Sequence, residues 1–420
     1  MCMEYHLRDG YNINVMKKGC ISPGFNKEEK MKKKLLGTLL SAAMVMSLLA
    51  GCGGAAQPAA DAAADAAATV EDTADAAAGA VEEAATEVVA DVEEAADAVE
   101  GAAADAGAAG GNIKVGFAQV GHESDWRTAS TKSCQDVFSA ANGYDLSFVD
   151  CDNDEAAQKE AVRSFIEQGV DYIIIDPIIA TGWDTVLTEC EDAGIPVIVI
   201  DRTIDDSDKY VSWVGSDFLT EGKAAGEWLK AYAEKQGVKE INYLIIQGTT
   251  GSSAQIGRTD GFREVAKAAG WNELDAQTGD FTEAGGQEVM ESFCKSYAGK
   301  FNVVVCENDN EAFGAMTAMD NAGVTYGPGN DVILISYDAC TAGLEKVKAG
   351  GITADFECNP LAAPTVEGVL KTLESGGTPE KEILVPDNWY ALKDQIVEFS
   401  VDGNPQSMVE VTDDVIAAQY

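Results

Sequence analysis

From residue 113 onward the chain alternates short apolar runs with longer segments of mixed polarity. Ile113–Val120 opens the series, and Asp145–Val149, Tyr172–Ile175, Pro196–Ile200 and Val211–Val214 follow. The rhythm restarts at Ile241–Ile246 and continues through Val303–Cys306 and Val332–Ile335. Apolar runs this short predict strands buried on both faces. Most pairs are separated by enough chain for a helix, and the intervening segments show helical spacing. One of them, Ala161-Val-Arg-Ser-Phe-Ile166, stops at Gly169. Strand and helix in alternation predict parallel sheets covered on both sides, and two such series predict two doubly wound α/β lobes. Ligands of open sheets bind beyond the carboxyl ends of the strands, so chemistry is expected there.

The first 111 residues follow a different pattern. Residues 31–51 read MKKKLLGTLLSAAMVMSLLAG, with Lys32, Lys33 and Lys34 ahead of an apolar stretch from Leu35 to Leu49. A basic start, a short apolar centre and small residues at the end predict an export signal. The stretch is too short for a bilayer span of about 20 apolar residues. Its tail, Leu49-Ala50-Gly51-Cys52, resembles the lipobox of bacterial lipoproteins, which implies cleavage before Cys52 and a diacylglycerol on its sulfur. Residues 1–30 precede the better start at Met31 and are expected to be a mis-assigned N-terminal extension. Residues 52–111 hold the candidate lipidated cysteine and a stretch of Ala, Glu, Asp, Val, Gly and Thr without Lys or Arg. Such a composition has no core to bury, and reads as an acidic spacer, partly helical, or as a tail of no specific function.

Composition narrows the function classes. The chain of 420 residues is 46% hydrophobic, enough for sizeable cores, and carries 29 basic against 71 acidic side chains, a net charge of −42. Removing residues 1–51 takes away eight basic and four acidic groups and leaves −46. This balance argues against nucleic-acid binding, because phosphate contacts need basic surfaces. With His6 and His122 as the only histidines, a His-rich metal site is excluded.

Polar and aromatic residues gather at the predicted strand ends. Gly121-His-Glu-Ser-Asp-Trp-Arg127 follows the first strand, Asp201-Arg202 the fourth, and Glu307-Asn-Asp-Asn310 the run ending at Cys306. Asp338 follows Ile333–Tyr337, and Arg258 lies downstream of Gln247-Gly-Thr-Thr-Gly-Ser-Ser253. Carboxylates, an amide, guanidinium groups and an indole suit a sugar. Hydroxyls donate to carboxylates and accept from Arg or Asn, while an aromatic ring covers the apolar sugar face.

Here the chain, from about Ile113 to Pro386, resembles the type I periplasmic sugar-binding proteins of ABC transporters, and among them the galactofuranose-binding members. The stretches that carry the resemblance are Val115-Gly-Phe-Ala-Gln-Val-Gly121 with Glu123-Ser124 and Trp126-Arg127; Ala161-Val-Arg-Ser-Phe165; Ala180-Thr-Gly-Trp183; Asp201-Arg202; Gln247-Gly-Thr249; Gly279-Asp-Phe-Thr282; and Val289-Met-Glu-Ser-Phe293. The resemblance implies roles by position. Asp201 and Arg202 hold ring hydroxyls from the first lobe; Trp126 stacks on one sugar face, with Phe281 opposite. Arg258, Asn308 and Asp338 serve from the second lobe and hinge, and Glu357 at a further hinge-side position. Glu123 and Arg127 fill the first-lobe rim. The chain departs from the family where His-Asn-Asp-Asp-Met is Glu307-Asn-Asp-Asn-Glu311, and where Asp-Gly is Asp338-Ala339.

Other features read as structure. Trp183 is expected to pack and His122 to lie on the rim or surface. Asp150-Cys-Asp-Asn-Asp154 fails as a calcium loop, having Glu155 at position six and Ala161 at position twelve; Asn153 or Asp154 reads better as a helix cap. Gly248-Thr-Thr-Gly251 lacks the rest of a P-loop, so no ATP site and no cofactor is expected, and no helix-turn-helix precedes the lobes. Cys134, Cys151, Cys190, Cys294, Cys306, Cys340 and Cys358 are odd in number and form no CxxC; several sit in apolar contexts as plain buried residues.

The sequence therefore predicts a periplasmic binding protein-like I fold: two doubly wound parallel-sheet lobes joined by a three-strand hinge. Residues 112–218 and 358–388 form the first lobe, residues 219–357 and 389–420 the second. The resemblance implies a monomeric non-enzyme, held by Cys52 on the outer face of a bacterial membrane. It captures a galactofuranose- or galactose-like monosaccharide for the permease subunits of an ABC transporter, whose ATPase is a separate chain. The alternative is a sensor that presents its closed form to a membrane receptor kinase or chemoreceptor.

Overall fold

The computed structural model describes residues 111–420. The export signal, Cys52 and the acidic stretch lie outside the described residues. The chain begins with β1 (Ile113–Gln119), α1 (Asp125–Val137), β2 (Tyr144–Asp150), α2 (Glu155–Gln168), β3 (Tyr172–Ile175), α3 (Asp184–Ala193), β4 (Val197–Ile200) and β5 (Ser212–Gly215). A second series follows: α4 (Phe218–Gln236), β6 (Asn242–Gln247), α5 (Ser253–Ala269), β7 (Asn272–Thr278), α6 (Glu283–Ser296), β8 (Val303–Cys306), α7 (Asp309–Ala322), β9 (Ile333–Asp338), α8 (Thr341–Lys348) and β10 (Ala354–Glu357). It ends with α9 (Ala363–Glu374), β11 (Glu382–Leu384), β12 (Trp389–Ala391), the hairpin β13 (Phe399–Val401) and β14 (Asn404–Gln406), β15 (Met408–Glu410) and α10 (Asp413–Ala417).

Two sheets result. The first has the order β11-β5-β4-β3-β1-β2 and is parallel throughout; the second has the order β15-β12-β10-β9-β8-β6-β7, with only β10 and β12 antiparallel. Late elements return to the first sheet. β11 pairs with β5, and Val366, Val369 and Leu370 of α9 pack with Val115, Phe117 and Ile174 on one sheet face. On the other face Ile173, Ile175, Val197 and Val199 meet Val162 and Phe165 of α2 and Val186 and Leu187 of α3. Both faces of the central strands are covered, which is why they read as unbroken apolar runs.

Helix starts are placed by side-chain caps. Ser124 accepts from the Arg127 amide, Asp154 from those of Ala156 and Ala157, Ser252 from Gln255, and Asn308 from Glu311. The expected cap at the Asn153–Asp154 position is thus Asp154. Ser124, Ser252 and Asn308 each lie a few residues beyond a strand, so three helix starts meet in the space between the sheets. A seam of small residues joins α4 to α5. A Cβ at Gly222 or Gly261 would overlap the backbone of the opposite helix, and this approach brings Arg258 beside Glu221.

Trp183 is buried in the first core, its Nε1 donating to the Ile179 carbonyl at 2.8 Å, and His122 is exposed against Asp150 at 2.8 Å. The seven cysteines of the described residues are free thiols, all buried except the half-buried Cys294.

Candidate functional site

Residues beyond the carboxyl ends of both sheets line one narrow cavity between them. Nine of the ten sequence-derived candidates line it: Glu123, Trp126, Arg127, Asp201, Arg202, Arg258, Phe281, Asn308 and Asp338. The lobes meet around it. The Ala180 amide donates to the Gly251 carbonyl at 3.0 Å, the Thr203 amide to Ser253 Oγ at 2.8 Å, and the Asp125 amide to Asn310 Oδ1 at 3.0 Å. The cleft is therefore closed.

The first-lobe wall is a charge cluster around Arg127, which is only 3% exposed. Its Nε donates to Glu123 Oε1 at 3.0 Å, and its Nη1 to Asp201 Oδ2 at 3.0 Å and to the fully buried Asp176. Burial pushes the Asp176 carboxyl well above its ordinary range despite Arg127. Burial also pushes Glu123 up, but there Arg127 and Arg202 outweigh it and the carboxyl ends below its usual value. Asp201 is presented in a left-handed conformation, φ 61°, and its carbonyl accepts from Trp213 Nε1 at 2.9 Å. Arg202 donates to the Ile178 carbonyl at 3.0 Å. Its Nε and Glu123 Oε2 are buried without a protein partner, so one donor and one acceptor are free for a ligand.

The second-lobe wall is organised by Arg258. Its Nε donates to Glu221 Oε2 at 2.7 Å, its Nη2 to Asp338 Oδ1 at 3.2 Å, and its Nη1 to the Glu307 carbonyl. Phe281 sits in a left-handed turn, with φ 56° at Asp280 and 61° at Phe281. Glu311 Oε1 accepts from its amide at 3.0 Å, and Asn308 Nδ2 donates to its carbonyl at 3.0 Å. The ring lies 5.3 Å from the Arg202 guanidinium of the other lobe, and Trp126 lies 4.6 Å from that of Arg127. The indole N–H of Trp126 is taken by the Cys358 carbonyl at 2.6 Å.

Glu357 is placed elsewhere. Its Oε2 accepts from the Asn388 amide at 2.9 Å and from Asn388 Nδ2 at 2.7 Å, and from Tyr390 Oη at 3.3 Å. These partners hold it at the chain crossing, and it does not line the cavity. Ser124, Phe218, Ala254 and Cys358 do line it without having been singled out. Asp176 and Glu221 were also passed over. Asp176 directly follows the run Ile173-Ile-Ile175, the signal that located Asp201; Glu221, in the first turn of a helix, gives none.

The two departures at 307 and 311 acquire a structural role. Glu307 Oε2 accepts from the Gly248 amide at 2.8 Å and its Oε1 from Thr259 Oγ1, while Glu311 holds the Phe281 turn. Gly248 lies under the Phe281 ring, where an added Cβ would overlap it. Gly248→Ala is expected to displace the ring, weakening ligand binding several-fold while lowering the melting temperature by only a few degrees. Titration calorimetry beside a melting curve checks this.

Burial pushes Glu221 and Glu307 up to about 8 and Asp338 up to about 7, outweighing the hydrogen bonds and the Arg258 charge that oppose it. A carboxyl whose folded value lies above its unfolded one binds more protons when folded, so the stability it gives at low pH is lost as pH rises through the folded value. The melting temperature of the ligand-free protein is accordingly expected to fall between about pH 5 and pH 8. A flat or rising profile across that window contradicts this.

Two parallel-sheet lobes closed over a buried polar cavity define the type I periplasmic binding proteins. Residues 115–360 match the periplasmic binding protein domain, and the chain belongs to that family. It is 38% identical to the galactofuranose-binding protein YtfQ of Escherichia coli (strain K12), over 66% of this chain and 87% of that protein. Among solved structures it resembles a Mycobacterium smegmatis protein in complex with β-D-fucofuranose, with a TM-score of 0.63 and 39% identity over 66% of this chain and 91% of that one. It also resembles the periplasmic binding protein component of the arabinose ABC transporter from Shewanella sp. ANA-3, bound to α- and β-L-arabinofuranose. There the TM-score is 0.60 and the identity 36%, over 65% of this chain and 89% of that one.

Proposed function

We propose that this protein captures a neutral monosaccharide in its furanose form between the two lobes and delivers it to an ABC transporter. The observation that carries the reading is the cavity wall. Glu123 and Asp201 balance Arg127 and Arg202 in the first-lobe cluster and Asp176 adds a further carboxyl, leaving no cationic surplus for a phosphate or carboxylate. Paired carboxylates and guanidinium groups suit hydroxyls, and the rings of Trp126 and Phe281 suit a sugar face. The three relatives above carry furanose sugars in their names or as bound ligands, which supports a five-membered ring here.

In this reading the chain is a monomer and not an enzyme. Residues 112–218 and 358–388 move against 219–357 and 389–420, and sugar shifts the hinge equilibrium toward the closed form. The closed form docks on permease subunits, while ATP is hydrolysed by another chain. The basic-apolar segment 31–51 and Cys52 support export and a lipid anchor on the outer face of the membrane.

A thermal-shift screen of residues 112–420 against galactose, arabinose, ribose, glucose and a nucleoside tests the reading. A ligand at 100 times its dissociation constant adds about 2.7 kcal/mol and raises the melting point by a few degrees. Galactose or arabinose should give that shift, and Asp201→Ala and Arg202→Ala should abolish it. No shift with any monosaccharide would leave the fold standing and remove the sugar.

A further inference from the structure

The segment after β15 makes contacts that the ligand cavity described above does not account for. Tyr420 packs against the apolar cluster of Trp126, Phe218, Ala254, Phe281 and Cys358, whose members line the cavity. Its Oη donates to the Asp338 carbonyl at 2.7 Å, and its carbonyl accepts from the Thr341 amide at 3.1 Å and from Thr341 Oγ1 at 2.6 Å. Beside it, Gln419 Nε2 donates to the Ala339 carbonyl at 3.0 Å. These bonds fall on a turn where a site carboxylate is held in costly backbone geometry, as Asp201 is in the other lobe. Asp338 has φ 95° and Ala339 φ 54°, and left-handed alanine is disfavoured by the clash of its Cβ. From below, Asp355 Oδ1 accepts from the Ala339 amide at 3.2 Å and Asp309 Oδ2 from the Cys340 amide at 2.9 Å. From above, residues 419–420 take the carbonyls.

The other side of Tyr420 faces a different space. It lines an open groove of about 750 Å³ that runs between α1 and α8, with Thr128, Ala129, Val137, Leu361 and Pro364 among its walls. The first turn of α1 is shared: Ser124, Trp126 and Arg127 face the cavity, and Asp125 and Thr128 face the groove. Trp126 and Tyr420 are thus the partition between a small polar chamber and a large, mostly apolar one.

We infer that Tyr420 sets the size limit of the sugar site and positions Asp338 within it. The ring blocks the direction in which a substituent on the sugar would leave the cavity, so the site takes a free monosaccharide and rejects its glycosides. The hydroxyl fixes the turn that presents the Asp338 carboxylate. This inference rests on the sugar-binding function proposed above.

The experiment is calorimetric titration of the whole chain and its Tyr420→Phe and Tyr420→Ala variants with L-arabinose, D-galactose and 4-nitrophenyl α-L-arabinofuranoside. The unaltered protein is expected to bind a free sugar and not the nitrophenyl furanoside. Tyr420→Phe keeps the ring and loses one hydrogen bond, so free-sugar affinity should fall about fivefold while the furanoside is still rejected. Tyr420→Ala should accept the furanoside, its aromatic group lying in the groove. A merely structural role would weaken all ligands together and would not create binding where there was none. Rejection of the furanoside by a folded Tyr420→Ala overturns the size-limit role, and free-sugar affinity unchanged in Tyr420→Phe overturns the positioning role. If alanine unfolds the chain, Tyr420→Leu, which keeps apolar bulk but loses the ring, takes its place: binding of the furanoside supports the size limit and rejection by the folded variant overturns it, while Tyr420→Phe decides the positioning role. Should the unaltered protein bind neither free sugar, the sugar reading falls and takes this one with it, a result distinct from normal binding by unaffected variants.

Discussion

Replacing Arg127 with methionine is expected to destabilise the protein by about 3–5 kcal/mol, the cost of stripping a buried ion cluster of its cation. Arg127 bridges Glu123, Asp176 and Asp201, and Asp176 is wholly buried. Methionine replaces the apolar stem of the side chain, so lost packing contributes less than the lost charge. What is left is a buried carboxyl with no guanidinium bonded to it and no water to reach. It can only take up a proton, and the penalty therefore grows with pH. The double variant Arg127→Met/Asp176→Asn removes the stranded charge and should recover part of the loss. Urea unfolding of the three proteins near neutral pH measures both quantities. A loss below about 1 kcal/mol in the single variant would mean the cluster is solvated and that the buried ion-pair argument is wrong.

The second large effect is on binding rather than folding. Asp201→Asn should weaken sugar binding about 10- to 100-fold, because a carboxylate accepting from hydroxyls is worth about 1.5–3 kcal/mol per bond. The substitution suits the site sterically. Asparagine has the size of aspartate and tolerates the left-handed backbone at φ 61° better than most residues. Arg127 keeps Glu123 and Asp176, and Asp176 is relieved of a like-charged neighbour, so stability should stay within about 1 kcal/mol. Titration with whichever sugar gives the largest thermal shift, beside a melting curve, separates the two effects. Undiminished affinity would show that Asp201 belongs to the scaffold.

The strands that the apolar pattern revealed are the ones buried on both faces. Tyr172–Ile175, Val197–Ile200 and Val303–Cys306 are covered completely, so no polar residue interrupts them. β7, Asn-Glu-Leu-Asp-Ala-Gln-Thr, was silent because it is the second sheet's edge and pairs on one side only. β11, β12 and β15 have three residues each, too few to show a period. In the site, position after a strand located Asp201, Arg202, Asn308 and Asp338, because topology fixes where a strand's end points. Glu221 escaped because its partner Arg258 lies on another helix, and only the glycine seam between them makes that pairing. Glu357 shows the converse. A carboxylate ending β10 reads like the others, but Asn388 and Tyr390, distant in sequence, turn it toward the crossing strands.

The lateness of β11 and α9 bears on how the molecule is made. Both belong to the first sheet, yet both leave the ribosome after every strand from β6 to β10. For most of its synthesis the nascent sheet β1–β5 lacks α9 on one apolar face and a partner along the β5 edge. Open edges and bare faces invite pairing with the wrong chain. Cotranslational folding can complete the second lobe's central strands but not the first lobe, whose β5 edge stays open until residue 384 has emerged. The half made earliest is finished almost last, so its apolar face and its β5 edge are the surfaces left open longest.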